Sequence, residues 1–247
     1  MCIRDRDRQV FDILFLIGRP AAGKSEIIDF LKKTPHEERA RELRIGQFHE
    51  IDDFPMLWSW FEEDAILEQM GLPRLHSDKQ GFFKFKELWH LLIRRLELEF
   101  WKQEAEEIPF GESHTAIIEF ARGSEHGGFA EAFSHFSPEL LRRSAVLYIN
   151  VPFEESLRKN RRRKNPDKPH SILEHSLEDE KLTKLYKEVD WAQFSAKDPH
   201  YLHIAGEKVP YRVFENGDDV TSEEKDRPEL ARRLRQDLNA IWELYNT

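Results

Sequence analysis

An uninterrupted apolar run leads into a glycine-rich loop, and a helical pattern leaves that loop at once. The run Ile13–Ile17 lies in a predicted buried strand, Val10–Ile17, and Lys24–Lys33 has the spacing of a helix that ends before Pro35. The connecting residues are Gly18-Arg19-Pro20-Ala21-Ala22-Gly23-Lys24-Ser25. A strand, a tight loop and a helix in this order are typical of the βα units from which parallel sheets are built.

The eight connecting residues, here called the phosphate loop, match the pattern G-x-x-x-x-G-K-[ST] in full. Its glycines allow successive backbone N–H groups to point at one anion, and the following helix N-terminus adds partial positive charge. We therefore predict that residues 18–25 bind ATP, with Lys24 on the β- and γ-phosphates and Ser25 completing the shell of a Mg²⁺ ion. The alternative is a glycine turn with an incidental lysine.

The rest of the chain alternates short apolar runs with long amphipathic segments, which predicts an α/β fold with a mostly parallel sheet. Its length of 247 residues suits one large domain with its own core. Further predicted strands are Ile45–Ile51, Thr115–Phe120 and Ala145–Val151, and Tyr201–Phe214 is predicted to form a hairpin or two short strands. Further predicted helices are Met56–Met70, Phe83–Glu107, a short one after Gly128, Phe153–Lys164, Leu177–Val189, and a closing helix capped by Thr221 or Ser222.

The net charge and the cysteine content limit which binding partners and which cellular compartment are expected for this protein. With 38 basic and 47 acidic residues the net charge is −9, which argues against a protein that covers nucleic acid or anionic lipid. Cys2 is the single cysteine, so no disulfide can form within the chain, and we expect a reducing, cytoplasmic compartment. The apolar runs are too short to span a bilayer, and the N-terminus lacks the apolar region of a signal peptide. We interpret residues 1–7 as a non-native remnant.

With the phosphate loop in place, the chain resembles the P-loop kinases of the nucleoside and nucleotide kinase type. The resemblance implies a P-loop NTPase fold: a three-layer α/β/α sandwich with a mostly parallel sheet of about five strands. It also implies ATP and Mg²⁺ as cofactors and a mobile lid over the phosphate donor. On this basis residues 8–247 form a single domain. Residues from about 54 to 113 would hold the acceptor, and residues from about 153 to 190 would form the lid.

Acidic residues follow two of the predicted strands. Asp52 and Asp53 stand after the second strand, where similar kinases use a carboxylate to orient or deprotonate the acceptor, or to bind Mg²⁺ through water. Either aspartate is also a good helix cap. Glu119 ends the third strand, where the family has a Mg²⁺-binding acid, and Arg122 follows it as a second catalytic candidate. The alternative is an ordinary ion pair between Glu119 and Arg122.

A basic segment and a late turn complete the candidates. Arg158, Arg161 and Arg162 share one face of a predicted helix, and in the resembled family this position is the lid, whose arginines balance charge on the transferred phosphoryl group. A nucleic-acid patch and a solvated, salt-bridged face are the alternatives. Asn216 lies where related kinases pass the adenine ring, or in a plain turn.

These observations predict an ATP-dependent phosphotransferase that acts on a small-molecule or nucleotide acceptor. Nucleic acid and membranes are not expected as partners. No pattern in the sequence names the acceptor or the oligomeric state. An NTP-hydrolysing regulator and a non-catalytic nucleotide sensor remain alternatives. The D-x-x-G match at Asp78–Gly81 lies between predicted helices and no N-K-x-D sequence is present, which disfavours a GTPase.

Overall fold

A six-stranded sheet runs through the centre of the structure, in the order β2-β3-β1-β4-β6-β5. The computed structural model describes residues 8–163 and 177–247, so residues 1–7 and part of the predicted lid lie outside the described residues. The first five strands in this order are parallel, and β5 pairs antiparallel with β6. The strands are β1 (Ile13–Gly18), β2 (Gln47–Asp52), β3 (His114–Phe120), β4 (Ser144–Asn150), β5 (Tyr201–Ile204) and β6 (Glu207–Glu215).

Helices connect the strands and cover both faces of the sheet. The first five are α1 (Lys24–Lys33), α2 (His36–Leu43), α3 (Asp53–Gln69), α4 (Glu87–Ala105) and α5 (Gly128–Ser134). They are followed by α6 (Pro138–Arg142), α7 (Phe153–Arg163), α8 (Asp179–Tyr186), α9 (Trp191–Ser195) and α10 (Arg227–Tyr245). Among the described residues, no helix combines the length and the apolar character needed to cross a membrane.

Alternate residues of β1 belong to two different cores, one on each face of the sheet. Ile13, Phe15 and Ile17 pack with apolar side chains of α4, α5, α6 and α9. Leu14 and Leu16 pack with side chains of α1, α2 and α10. Because side chains alternate across a strand and both faces of β1 are covered, its sequence is apolar at every position. The predicted three-layer α/β/α fold is confirmed.

The sheet has one strand more than the five expected. The extra strand, β5, is joined to β6 by Ala205 and Gly206, which have φ angles of 50° and 88°. A two-residue turn with both φ angles positive gives the tight hairpin that suits twisted antiparallel strands. The parallel part of the sheet therefore has the predicted five strands, and the predicted hairpin adds the sixth.

The predicted start of the closing helix is wrong. Helix α10 begins at Arg227, with Pro228 in its first turn, and neither Thr221 nor Ser222 caps it. Proline is favoured in a first turn because its missing N–H would have no helical partner there. Thr221 instead accepts hydrogen bonds from Asn216 and from Lys159, behind the phosphate loop. Helix α2 was not predicted, because its His-Glu-Glu-Arg sequence has little apolar periodicity.

A buried arginine connects the end of the sheet opposite the phosphate loop to its surroundings. The Nε of Arg143 donates to Asp12 Oδ2 at 2.9 Å, and its Nη1 donates to Glu104 at 2.6 Å. The Tyr245 hydroxyl donates to the carbonyl of Arg143 at 2.6 Å, which joins α10 to the same group. Asp12 and Arg143 are each less than 5% exposed, so their charges depend on each other for stabilisation.

We predict that Asp12→Ala lowers the free energy of unfolding by about 3–5 kcal/mol, because it removes the more buried of the two carboxylates that pair with Arg143 and leaves the charge of this guanidinium compensated by Glu104 alone. Urea denaturation followed by circular dichroism measures the change. Asp29→Ala is the matched control, since Asp29 pairs with Lys33 on the surface and both side chains are more than half exposed. Its effect should stay within about 1 kcal/mol. Equal losses in the two variants would contradict the role assigned to this network.

Candidate active site

The phosphate loop leaves β1 at the carboxyl edge of the sheet and turns directly into α1. Gly18 lies so close to β4 that an added Cβ would meet the Ile149 carbonyl oxygen at 2.7 Å. Gly23 has a φ angle of 112° and stands immediately before α1, and a Cβ there would meet Asn216 Nδ2 at 2.6 Å. Both glycines are therefore required by close packing, and Gly23 also by its backbone conformation.

Side chains behind the loop hold its carbonyl groups. The amide of Asn216, which is fully buried, donates to the Ala22 carbonyl at 2.8 Å. The Ser156 hydroxyl donates to the Pro20 carbonyl at 2.7 Å. These bonds hold two carbonyl groups of the loop on the side away from the cavity and support its conformation. Asn216 does not line the cavity described below, and its predicted contact with ATP stays a prediction.

Arg19 of the phosphate loop has a different set of contacts. Its guanidinium donates to the carbonyl oxygens of Val151, Tyr186 and Lys187, at distances of 3.1 to 3.2 Å. Tyr186 is the last residue of α8, so Arg19 joins the end of that helix to the phosphate loop. The three bonds direct the side chain toward α8, and the residue does not line the cavity.

Lys24 and Ser25 open onto the cavity together with the N-terminus of α1. The Lys24 ammonium donates to the Arg19 carbonyl at 3.2 Å, across the mouth of the loop. Gly23, which stands before α1, has no side chain that could cap the helix. A helix start beside a lysine favours an anion, and this arrangement fits the phosphates of a nucleotide.

Two carboxyl groups face the phosphate loop from neighbouring strands. Parallel pairing of β2 with β3 sets Asp52 opposite Glu119, and both residues line the cavity with Lys24. Burial, followed by the charge of Asp53, raises the pKa of Asp52 to about 6. Burial, followed by the charge of Asp52, raises the pKa of Glu119 to about 8. At neutral pH the pair therefore retains a proton, although Lys24 opposes both shifts.

The same carboxyl groups pass a test for a divalent cation. In the described part of the chain, no hydrogen-bond donor reaches the Glu119 carboxylate, although its side chain is 8% exposed. The Ser25 hydroxyl lines the same cavity, so oxygen ligands come from both sides of it. Carboxylate and hydroxyl oxygens are the ligands that Mg²⁺ prefers, and the residues present fit this ion.

Asp53 forms a buried ion pair with an arginine. Its Oδ2 accepts a 2.6 Å hydrogen bond from Arg122 Nη1, and both side chains are buried. Arg122 also donates to the carbonyls of Ala121 and Trp89. The ordinary ion pair considered for Glu119 is therefore formed by Asp53 instead. Asp52 accepts a hydrogen bond from the Phe54 amide at 3.0 Å, which makes it the cap of α3 as well as a cavity residue.

A cavity of about 600 Å³ extends from the phosphate loop between α3, α4 and α8. Apolar side chains form most of its wall, with lysines placed among them. Its aromatic residues are Phe54, Trp58, Phe61, Phe82, Phe83, Trp89, Phe120 and Tyr186, together with the His126 ring. Its lysines, besides Lys24, are Lys86, Lys181 and Lys184. The volume is that of a small-molecule site, and the wall combines flat apolar surfaces with positive charge.

Sequence reasoning did not single out the three additional lysines. Lys184 Nζ lies 4.2 Å from the centre of the Phe82 ring, and Lys86 Nζ donates to Glu131 at 2.8 Å. On predicted amphipathic helices such lysines cannot be distinguished from solvent-exposed ones. Only their positions in the sequence indicated a functional role. Lys181 and Lys184 fall within the predicted lid, and Lys86 falls within the predicted acceptor region.

His126 is buried at one side of this cavity. Its ring stacks on Trp89 with centroids 3.9 Å apart, and its Nδ1 accepts a hydrogen bond from the Gly123 amide. Burial, followed by the charge of Arg122, lowers the pKa of His126 to about 3. The ring is therefore neutral at pH 7, with its proton on Nε2, which has no hydrogen-bond partner among the described residues. A neutral histidine here can donate a hydrogen bond to a ligand and does not serve as a base.

The three arginines of the basic helix do not line the cavity in this structure. Arg158 pairs with Glu155 and Asp219, and Arg161 pairs with Asp179. Arg162 is exposed. A cation of this helix that is buried is Lys159, which donates to the Thr221 hydroxyl at 3.2 Å. The role of the three arginines in phosphoryl transfer stays a prediction.

No model of a known protein family matches the chain, and no curated protein matches it. Shikimate kinase from Acinetobacter baumannii, solved with shikimate, is 16% identical, with a TM-score of 0.39 over 92% of this chain and 93% of that chain. A protein from Chloroflexus aurantiacus, provisionally assigned as a kinase, is 12% identical, with a TM-score of 0.45 over 93% and 99% of the two chains. A sugar kinase from a Janibacter species is 14% identical, with a TM-score of 0.37 over 93% and 95%. Likenesses at these levels say nothing about the chemistry of the cavity.

The raised pKa of Glu119 predicts how stability depends on pH in the protein without ligands. Because the folded protein holds this proton more tightly than the unfolded chain, the free energy of unfolding should fall as pH rises from about 4.5 to about 8. Over the same pH range, the free energy of unfolding of Glu119→Gln should fall by at least about 1 kcal/mol less than that of the parental protein. Urea denaturation in the presence of a chelator measures it. The exposed Glu112→Gln is the control, and equal slopes in both variants would contradict the prediction.

For the basic helix we predict that replacing Arg158, Arg161 and Arg162 together by alanine lowers kcat roughly ten- to a thousandfold, with little change in ATP affinity. The physical reason is that lid charges act chiefly in the transition state. Polynucleotide binding, measured at several salt concentrations, should be absent before and after the change. A triple variant that turns over at the parental rate would leave Arg122 or the cavity lysines as the source of catalytic positive charge.

Proposed function

We propose that this protein is an ATP- and Mg²⁺-dependent phosphotransferase that transfers the γ-phosphoryl group to a small molecule or nucleotide. One observation carries the proposal: Lys24 and Ser25 share a single cavity with Asp52, Glu119 and an aromatic wall. A phosphate site, a carboxylate pair and room for a second molecule are the three parts that such a reaction requires. An NTP-hydrolysing regulator needs only the first two.

The phosphate donor is bound by the loop and by the start of α1. The loop is held from behind by Asn216 and Ser156, so its N–H groups are oriented before the nucleotide arrives. Lys24 exchanges its bond to the Arg19 carbonyl for phosphate oxygens and offsets the charge that develops during transfer. Ser25 and Glu119 would hold Mg²⁺, which neutralises phosphate charge and orients the oxygens when it is bound.

The acceptor is activated by Asp52. A general base works best when its pKa lies near the operating pH, and burial brings the pKa of Asp52 to about 6. Asp53 is less suited, since the Arg122 guanidinium is hydrogen-bonded to its carboxylate. We therefore assign proton acceptance to one oxygen of Asp52, while its other oxygen continues to cap α3. Asp53 and Arg122 position the segment that carries Asp52.

The acceptor occupies the aromatic part of the cavity. Phe83, Trp89 and Phe61 provide flat apolar surface, and His126 provides an unused donor. Lysines on two sides of the wall attract a negatively charged acceptor. Non-catalytic nucleotide sensing is the weaker alternative, because no structural role among the described residues accounts for the buried carboxyl group of Glu119 beside the phosphate loop.

Lys24→Ala should abolish turnover, with a loss of at least about two orders of magnitude in kcat and no loss of folded structure, because a preorganised charge at the phosphates is removed. ADP formation is measured against a panel of nucleosides, nucleotides, sugars and cofactor precursors. Lys33→Ala is the matched control, since Lys33 lies on the same helix but pairs with Asp29 on the surface. It should keep the parental rate.

The same assay separates the proposed transferase from its alternatives. A transferase forms ADP faster with one acceptor class than with water, and a phosphorylated product accumulates in equal amount. ADP formation at one rate with every acceptor would instead indicate an NTP-hydrolysing regulator. Nucleotide binding without ADP formation would indicate a sensor. Normal activity in a folded Lys24→Ala protein would contradict the assignment of the phosphate loop itself.

A further inference from the structure

Two histidines and a glutamate meet where α4 packs against α5. His90 lies on α4, Glu131 lies on α5, and His135 directly follows α5. One ligand atom from each residue lies within 4.8 Å of the other two. The His90 and His135 rings stack with centroids 4.3 Å apart, and His90 Nε2 lies 3.1 Å from Glu131 Oε1. We call this group the His90 cluster.

The His90 cluster leaves a shielded nitrogen unsatisfied. His90 Nε2 is closed off from solvent and has no hydrogen-bond partner among the described residues. Its 3.1 Å approach to Glu131 therefore lacks the geometry of a hydrogen bond. A shielded polar atom without a partner requires an explanation, and an ion that the structure does not contain is one of the recognised explanations.

Neighbouring side chains hold the cluster in place without occupying all of it. Lys86 Nζ donates to Glu131 Oε2 at 2.8 Å, so the second oxygen, Oε1, faces the histidines. Arg94 Nη1 donates to the His135 carbonyl at 2.8 Å and fixes the backbone that carries this ring. Carboxylates that bind metals are commonly held by such a second hydrogen bond.

We propose that His90, Glu131 and His135 bind one divalent first-row transition ion, with Zn²⁺ as the typical case. Two imidazole nitrogens and one carboxylate oxygen form a donor set that zinc uses when it keeps an open fourth position. The ligands of a tetrahedral zinc ion lie about 3.3 Å apart, so a small rotation of the side chains closes the present separation. Mg²⁺ and Ca²⁺ prefer oxygen ligands and do not suit this site.

The proposed site is separate from the candidate active site, because none of its three ligands lines the cavity. It is nevertheless adjacent to it. Trp89, on the same helix as His90, and Lys86, which directly precedes that helix, form part of the cavity wall, and Lys86 is hydrogen-bonded to Glu131. An ion at the His90 cluster would join α4 to α5 and hold this part of the wall in place.

Titration of the full-length, untagged chain with ZnCl₂ by isothermal calorimetry tests the proposal. Millimolar Mg²⁺ is present throughout, so that the oxygen ligands near the phosphate loop are occupied. We expect one strong site per chain, and His135→Ala and Glu131→Gln should each weaken it by at least about tenfold. His203→Ala is the matched control, since His203 lies 3.2 Å from Asp198 elsewhere on the surface and should leave the affinity unchanged.

Co²⁺ provides a second readout that does not depend on activity. Co²⁺ absorbs visible light more strongly when protein nitrogen and oxygen ligands hold it in a site of low symmetry than when it is hydrated. This absorption should develop when Co²⁺ is added to the parental chain, and it should be absent with His135→Ala. Circular dichroism establishes that each variant is folded, and Glu131→Gln preserves the shape of its side chain if His135→Ala does not fold. Absence of a strong Zn²⁺ site would overturn the proposal, as would equal affinity in all the variants or displacement of Zn²⁺ by Mg²⁺.

Discussion

The central position of β1 is the constraint on which the rest of the structure depends. Parallel pairing with β3 on one side and β4 on the other surrounds the end of β1 with the ends of its neighbours. The phosphate loop therefore emerges at the carboxyl edge, where α/β proteins bind their ligands. Glu119 reaches this edge on β3, and Asp52 reaches it on β2, one strand further out. The site is assembled by the order of the strands.

Charge near the phosphate loop is balanced only in part by the chain itself. The Asp53–Arg122 pair is internally neutral and buried. By contrast, burial and neighbouring negative charges raise the pKa values of Asp52 and Glu119, the strongest such charge effect coming from Asp53 on Asp52 and from Asp52 on Glu119. A divalent cation beside them and an anion at the start of α1 would each remove an unfavourable interaction. The ligands that the site is proposed to bind are thus complementary to the charges that the folded protein leaves unbalanced.

Strong local patterns allowed much of the fold to be predicted from the sequence. The apolar run of β1 and the spacing of α1 depend on neighbouring residues only, and the bounds of α1 agree with the prediction. The partner of Arg122 could not be predicted, because Asp53 and Glu119 are both near the same edge and only three-dimensional packing selects Asp53. The lysines of the cavity were not predicted, because the sequence does not show whether a charged side chain on or beside a helix faces a cavity or bulk solvent. The position of Asn216 behind the loop depends on strand order in the same way.

The two edge strands of the sheet, β2 and β5, have features that disfavour pairing with strands of other chains. At one boundary, β2 carries His49 and Glu50, and Lys32 pairs with Glu50 there. At the other boundary, β5 has only four residues and is held by a tight turn to β6. Charged groups and short lengths make poor templates for intermolecular strand pairing. Parallel strands pair residues that are distant in sequence, and such sheets expose unpaired strand edges while they fold; the two edges described here disfavour pairing with another chain at that stage.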